Sequence, residues 1–233
     1  MIIHPIKAFT DNYIWCIQEE TEAVVVDPGT ANGVLDYLEE KQLRLAAILL
    51  THKHEDHTGG VLEIMARHPE IQIVGPKETV GLVNRVVDEG DTFTLLGQTF
   101  QVFATGGHTH GHISFLMGNN LFCGDALFSA GCGRVFTGDY EAQYEALQKF
   151  KRLDDDVNIY PGHEYTETNL RFAYDMQPDN EKFSKALKEV RELRAKEEPT
   201  LPTTIGREKE INLFLQVETL EDFIKLRNAR DDF

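Results

Sequence analysis

The chain has 233 residues, 41% of them apolar, enough for a packed core and against disorder. Its 23 basic and 39 acidic residues give a formal charge of −16, which argues against a nucleic-acid backbone or an anionic membrane as partner. The opening MIIHPIKAF lacks the regions of a signal peptide, the longest apolar run (LAAILL) is too short to span a bilayer, and Cys16, Cys123 and Cys132 show no CxxC spacing, so free thiols in a reducing cytoplasm are expected.

In chain order, YIWCIQ (13–18) and AVVVD (23–27) read as strands rich in β-branched and aromatic residues, and DPGT turns the chain after them. Val34, Leu35, Leu38 and Leu43 suggest a short helix, followed by a buried strand, LAAILLT (45–51). Residues 61–68 read as helix and IQIVG (71–75) as a strand that Pro76 breaks. Alternation on both sides of Gly97 predicts a hairpin over 91–103, and ISFLM, Asn119–Asn120 and LFCGD predict another. Tyr140, Tyr144, Leu147 and Phe150 lie on one helical face, and VNIYPG (157–162) reads as a strand. Helices are expected over 166–176 and 181–197, the second with a core-facing stripe of Phe183, Ala186, Leu187, Val190 and Leu193 that Pro199 and Pro202 terminate. A last helix runs through Leu220, Phe223, Ile224 and Leu226. The expected organisation is a mixed α/β domain over 1–165 and a small helical domain over 166–233.

One segment stands out chemically. THKHEDHTGG (51–60) crowds His52, His54, Asp56 and His57 onto the end of a buried strand. On extended backbone His52 and His54 point to the same side, and their imidazoles can reach one ion at about 2.0–2.1 Å. Asp56 and His57 follow as the chain turns into a helix, and can reach a second ion. A solvated polar loop is the bland alternative, but loop composition does not demand H-x-H-x-D-H. One segment cannot surround two ions. Further ligands at strand ends are Asp125 in FCGD, His163 in YPGH, and one of His108, His110 and His112 in GGHTHGH; spacing leaves that last choice open.

THxHxDHxGG, GHTxGH, Gly124–Asp125 and GHEYT (162–166) resemble the metallo-β-lactamase fold superfamily. TDNYIW (10–15), AGCGRVFTG (130–138), GHEYTETNLRFA (162–173) and PTLPTTIGREKEIN (199–212) further resemble the glyoxalase II (hydroxyacylglutathione hydrolase) family, over almost the full chain. The resemblance implies an α/β, four-layer αββα sandwich with a small C-terminal helical domain that binds substrate. It implies one metal held by His52, His54 and His108, a second held by Asp56, His57 and His163, and Asp125 bridging both. His112 then lies behind the ligands, and His110 falls at a variable position. Zinc is the expected metal, with iron and manganese accepting the same ligands.

The implied reaction is hydrolysis of S-(R)-lactoylglutathione to D-lactate and glutathione, the second step of methylglyoxal detoxification. A metal-bridged hydroxide attacks the acyl carbonyl, with Asp56 orienting it and Asp125 fixing the metal pair. Arg134, Phe136, Tyr165, Arg227 and Arg230 match positions that face glutathione. Arg134 and Phe136 stand where some members have lysine and tyrosine, and Arg230 replaces a lysine often found there. Spacing alone reads Arg227 and Arg230 as a solvated helix end. A lactonase or β-lactamase of the same fold and a one-iron glutathione persulfide dioxygenase are the rival enzymes. The complete second ligand set disfavours the dioxygenase, and the helical tail with its basic pair disfavours the lactamase. A metal-binding regulator without turnover is disfavoured because no ligand is missing. The expected protein is a monomer of the cytoplasm.

Overall fold

Segments rich in β-branched and aromatic residues near the N-terminus fold into paired strands: β1 (Ile2–Ala8), β2 (Asn12–Glu19) and β3 (Glu22–Val26) run antiparallel in succession. The computed structural model describes residues 1–233 and divides them into two units, one of 1–104 with 111–124 and one of 105–110 with 125–233.

In the first unit, α1 (Asn32–Lys41) carries the chain across the sheet, so that β4 (Arg44–Leu49) lies parallel to β3. After α2 (Glu55–Thr58) and α3 (Val61–Arg67), β5 (Gln72–Gly75) and β6 (Arg85–Val86) extend the sheet in parallel, giving the order β1-β2-β3-β4-β5-β6. Ile14, Cys16, Val25 and Ile48 from the strands pack with Val34, Leu38, Val61 and Ile64 from the helices. This burial explains why LAAILL reads as continuously apolar rather than alternating. β1 was not expected from the sequence. Pro5 interrupts its pattern, and a proline is tolerated there because β1 is the edge strand.

The unit continues as an antiparallel meander of β7 (Thr92–Leu95), β8 (Gln98–Ala104), β9 (Ile113–Met117) and β10 (Asn120–Gly124). Leu96 and Gly97 both take positive φ (51° and 70°), as a two-residue hairpin turn with the right twist requires. The second hairpin turns on Gly118–Asn119, one residue earlier than the Asn119–Asn120 pair suggested, because Asn120 already pairs with Met117.

The second unit contains α4 (Tyr140–Lys151), capped by Asp139 accepting from the Ala142 N–H, then β11 (Asn158–Pro161), α5 (Thr166–Met176) and α6 (Glu181–Arg194), which Asn180 caps. β12 (Thr203–Thr204) pairs with β11, and α7 (Ile205–Ile211), α8 (Leu213–Gln216) and α9 (Leu220–Asp231) follow. The stripe expected on α6 is buried at Phe183, Ala186, Leu187 and Val190. On α4 the buried residues are Gln143, Ala146, Leu147 and Phe150; Tyr140 and Tyr144 sit at the margin, with hydroxyls donating to the Asn228 side chain and the Glu218 carbonyl. No helix is long and apolar enough to cross a membrane.

All three cysteines are free and buried. Burial pushes the Cys16 thiol up to about 12 and also raises that of Cys132. Titration with Ellman's reagent is expected to find no fast-reacting thiol in the native protein and three after unfolding. A thiol that reacts at once in the native protein contradicts this packing.

Candidate metal centre

The first unit assembles its polar cluster on the ends of two parallel strands. Asp27 follows β3 and adopts a left-handed φ of 53°, a conformation Asp tolerates better than most residues. Its Oδ1 accepts from the Thr51 N–H (2.8 Å), and its Oδ2 accepts from the Thr51 hydroxyl (2.6 Å) and lies 3.0 Å from His57 Nδ1. His57 therefore donates through Nδ1, which leaves Nε2 as the basic nitrogen, 3.6 Å from Asp56 Oδ2. Thr51 spends its proton on Asp27, so its oxygen accepts from His52 Nδ1 (3.0 Å) and directs His52 Nε2 toward His54 Nδ1, 3.0 Å away. The Asn12 side chain donates to Asp56 Oδ2 at 3.0 Å. Gly29 is required here, since a Cβ on it would strike the Asp56 carbonyl. Ligand atoms of Asp27, His52 and His57 lie within 4.8 Å of one another.

The second unit builds a smaller cluster around Asp125, the residue after β10. His108 Nε2 and His163 Nε2 each stand 3.4 Å from Asp125 Oδ2. His108 Nδ1 donates to the Arg134 carbonyl (2.9 Å), which again leaves Nε2 basic. The His163 ring stacks on Tyr165, centroids 4.7 Å apart, and Phe128 meets both rings edge-on. Phe136 lies against His108, is 64% exposed, and carries the Arg134 guanidinium 5.9 Å from its ring centre.

These donor sets fit divalent metals. Two ligands on one tetrahedral ion stand about 3.4 Å apart when each bond is about 2.0–2.1 Å. His108 and His163 meet that spacing to Asp125 oxygen, and His52 and His54 approach it. The other ring nitrogens of His52, His57 and His108 are occupied by oxygen partners, the arrangement that fixes tautomer and aim for metal-binding imidazoles. His112 stacks on His52 at 4.9 Å, and His110 is exposed.

Residues 9–163 match the metallo-beta-lactamase superfamily, and residues 164–233 match the hydroxyacylglutathione hydrolase C-terminus. The hydroxyacylglutathione hydrolases of Actinobacillus pleuropneumoniae serotype 5b (strain L20) and Glaesserella parasuis serovar 5 (strain SH0165) are each 49% identical to it, over 99% of both chains. The chain belongs to the hydroxyacylglutathione hydrolase family. Among solved structures, ETHE1 from Myxococcus xanthus superposes with a TM-score of 0.75 at 26% identity, covering 98% of this chain and 90% of that one. The chain thus has the metallo-β-lactamase fold with a C-terminal helical region, and it is a hydrolase.

In this hydrolase the basic residues marked by the sequence sit in the second unit. Arg227 is buried rather than solvated: Nη1 donates to the Cys132 carbonyl and Nη2 to Asp231 Oδ1, both at 2.8 Å, and the guanidinium lies over Phe214. Arg134, half exposed, donates from Nε to the same Asp231 oxygen at 3.1 Å. Arg230 donates to Asn169 Oδ1, and its pKa is lowered by burial and by Arg227.

Asp27, Asn12 and Glu78 were not singled out in the sequence. Glu78 accepts from the Lys53 and Gly111 N–H groups, tying the segment between His52 and His54 to the turn before His112. The signal for Asp27 was present in DPG after an apolar strand, but it reads there as turn chemistry alone. Asp27→Asn preserves size and backbone tolerance but presents an amide where Thr51 and His57 need acceptors. It is expected to weaken metal affinity about 10- to 100-fold by chelator competition. Unchanged affinity removes Asp27 from the centre.

Proposed function

We propose that the chain hydrolyses S-(R)-lactoylglutathione to D-lactate and glutathione, the second step of methylglyoxal detoxification. The observation that carries this reading is the 49% identity to hydroxyacylglutathione hydrolases along the whole chain, C-terminal region included. His52, His54 and His108 would hold one divalent ion, Asp56, His57 and His163 the other, and Asp125 both. Zinc is the proposed metal, with iron or manganese able to use the same ligands. Such a pair, when bound, supplies a water strongly acidified, to a pKa of about 7, and an electrophile for the carbonyl oxygen and the departing sulfur.

The chain's own groups prepare that chemistry. Asp27 accepts from His57 Nδ1 and orients the ring, and the Thr51 hydroxyl oxygen does the same for His52. Asn12 holds the Asp56 carboxylate in place, and that carboxylate would accept a proton from the attacking water and orient its lone pair at the acyl carbon. The water oxygen bonds to that carbon, the C–S bond breaks, and the electron pair leaves on the glutathione sulfur. No serine or cysteine nucleophile is needed, consistent with three buried cysteines.

Arg134, Arg227 and Arg230 are proposed to receive the glutathione carboxylate, with Phe136 and Tyr165 flanking the thioester. Arg134 and Arg227 already share Asp231 Oδ1. A substrate carboxylate would exchange with that oxygen on the more exposed Arg134. The free thiols favour a reducing compartment, and we place the enzyme in the cytoplasm as a monomer.

A substrate panel tests the reading: the lactoylglutathione thioester, an acyl-CoA, a β-lactam and glutathione persulfide. Turnover of the first alone is expected. Preference for a β-lactam or the persulfide replaces the proposal with the corresponding lactamase or dioxygenase, and a lactone substrate serves the lactonase alternative. Asp125→Ala is expected to lower metal content and turnover together, the latter at least about a hundredfold. Full activity with both ions retained would refute the bridging role.

The arginines separate by two readouts. Arg134→Ala should raise KM about tenfold with little change in Tm, the loss of one charge-assisted hydrogen bond. Arg227→Ala should raise KM and lower Tm, because it also leaves the Cys132 carbonyl and Asp231 without their buried partner. An unchanged KM in both variants withdraws the arginines from the substrate site.

A further inference from the structure

Glu208 on α7 lies in the PTLPTTIGREKEIN stretch, which the reaction does not use, and it is 0% exposed. Four donors converge on its carboxylate. The Ser129 and Thr203 hydroxyls reach Oε1 at 2.8 Å each, and the Ala130 N–H (2.6 Å) and Asn212 Nδ2 (3.2 Å) reach Oε2. An ionised carboxylate is acceptor-only and can take all four, whereas an amide of the same size cannot.

Two of these donors belong to the loop that follows Asp125. The loop makes a tight turn in which Phe128 and Gly131 exchange both backbone hydrogen bonds, at 3.0 and 3.1 Å. Ala130 inside it has φ 55°, a conformation unfavourable for a residue with a Cβ and kept only where the surroundings impose it. Asn212 reinforces the clamp by donating to the Phe128 and Gly131 carbonyls at 3.1 and 3.0 Å. Beyond the turn, Gly133 packs against the Asp125 carbonyl so closely that no Cβ would fit. The next carbonyl, of Arg134, receives His108 Nδ1.

We propose that Glu208 is a positioning residue for the metal centre: by gripping Ser129 and Ala130 it fixes the 128–131 turn, and through it the Asp125 backbone and the Arg134 carbonyl that aims His108. The inference rests on the proposed ligand roles of Asp125 and His108. The alternative is that Glu208 merely stabilises the fold, and the two differ in what the folded protein does with metal.

The test uses the full-length protein stripped of metal and titrated with zinc against a competing chelator, on preparations shown to be folded by circular dichroism. Glu208→Gln is expected to weaken zinc binding about tenfold or more. Leu187→Ala, a core truncation on α6 that removes none of the hydrogen bonds to the loop, is expected to lower Tm and leave zinc affinity unchanged. Thr203→Val removes a donor to Oε1 that lies outside the loop and should weaken zinc binding about threefold; it decides the matter should Glu208→Gln prove insoluble. Wild-type zinc affinity in folded Glu208→Gln, or in Thr203→Val where that is the variant available, overturns the proposal, as does an equal zinc loss in Leu187→Ala. Asp125→Ala in parallel separates the layers. Should it also bind zinc like the wild type, the ligand assignment fails; should it lose zinc while Glu208→Gln keeps it, only the positioning role fails.

Discussion

An imidazole has two nitrogens, and this chain commits one of them on three histidines to an oxygen before any ligand is considered. His57 is bound to Asp27, His52 to Thr51, and His108 to the Arg134 carbonyl. Each contact chooses a tautomer and turns the opposite nitrogen into a base with a set direction. The central element is Asp27, a carboxylate 5% exposed that would be costly to bury without partners. It takes the Thr51 backbone and hydroxyl as well as His57, so one buried charge orders two histidines on the segment after β4. The parallel pairing of β3 with β4 makes this possible, because it brings the ends of both strands to the same edge.

Close approach of backbone to this cluster limits the residues around it. Gly29 passes behind Asp56 with no room for a side chain. Gly124, at φ 48°, lies where a Cβ would meet both Thr51 and His112. The two glycines therefore serve opposite ends of the same requirement: one lets the turn after Asp27 reach Asp56, and the other lets β10 end beside Thr51 without displacing it.

Much of this was legible in the sequence because clustering is itself a signal. Four potential ligands between His52 and His57 have no ordinary reason to occur together, and strand ends pointed to Asp125 and His163. The choice of His108 over its neighbours came from resemblance, not spacing. Asp27 and Glu208 were illegible for a common reason. Each is one carboxylate among many in an acidic chain, and its role depends on donors distant in sequence: Thr51 for Asp27, Ser129 and Ala130 for Glu208. Periodicity found α6 because a stripe of apolar residues meets a core, whereas α7 and α8 are too short to show one, and their boundary rests on Asn212 accepting from the Phe214 N–H. Tyr140 and Tyr144 followed helical spacing yet left the interior to Gln143, whose amide donates to the Ala126 carbonyl.

The basic cluster adds an electrostatic argument to the proposed substrate. A chain of net charge −16 would repel an anionic tripeptide at long range, so attraction must be local. On the proposed reading three arginines supply it, but arginines held close also repel one another, and burial of Arg230 beside Arg227 makes its charge harder to keep. Asp231 resolves that conflict in the free protein by accepting from both Arg134 and Arg227 through a single oxygen. On the proposed reading it occupies the place that a substrate carboxylate would take. Exchanging one carboxylate for another at Arg134 changes the local charge balance little and leaves Arg227 bracing the Cys132 carbonyl. Such an exchange favours a ligand that offers a second attachment, since a lone carboxylate gains no more from Arg134 than Asp231 already provides. On the proposed reading a thioester reaching the metals supplies that second attachment, and free acids do not.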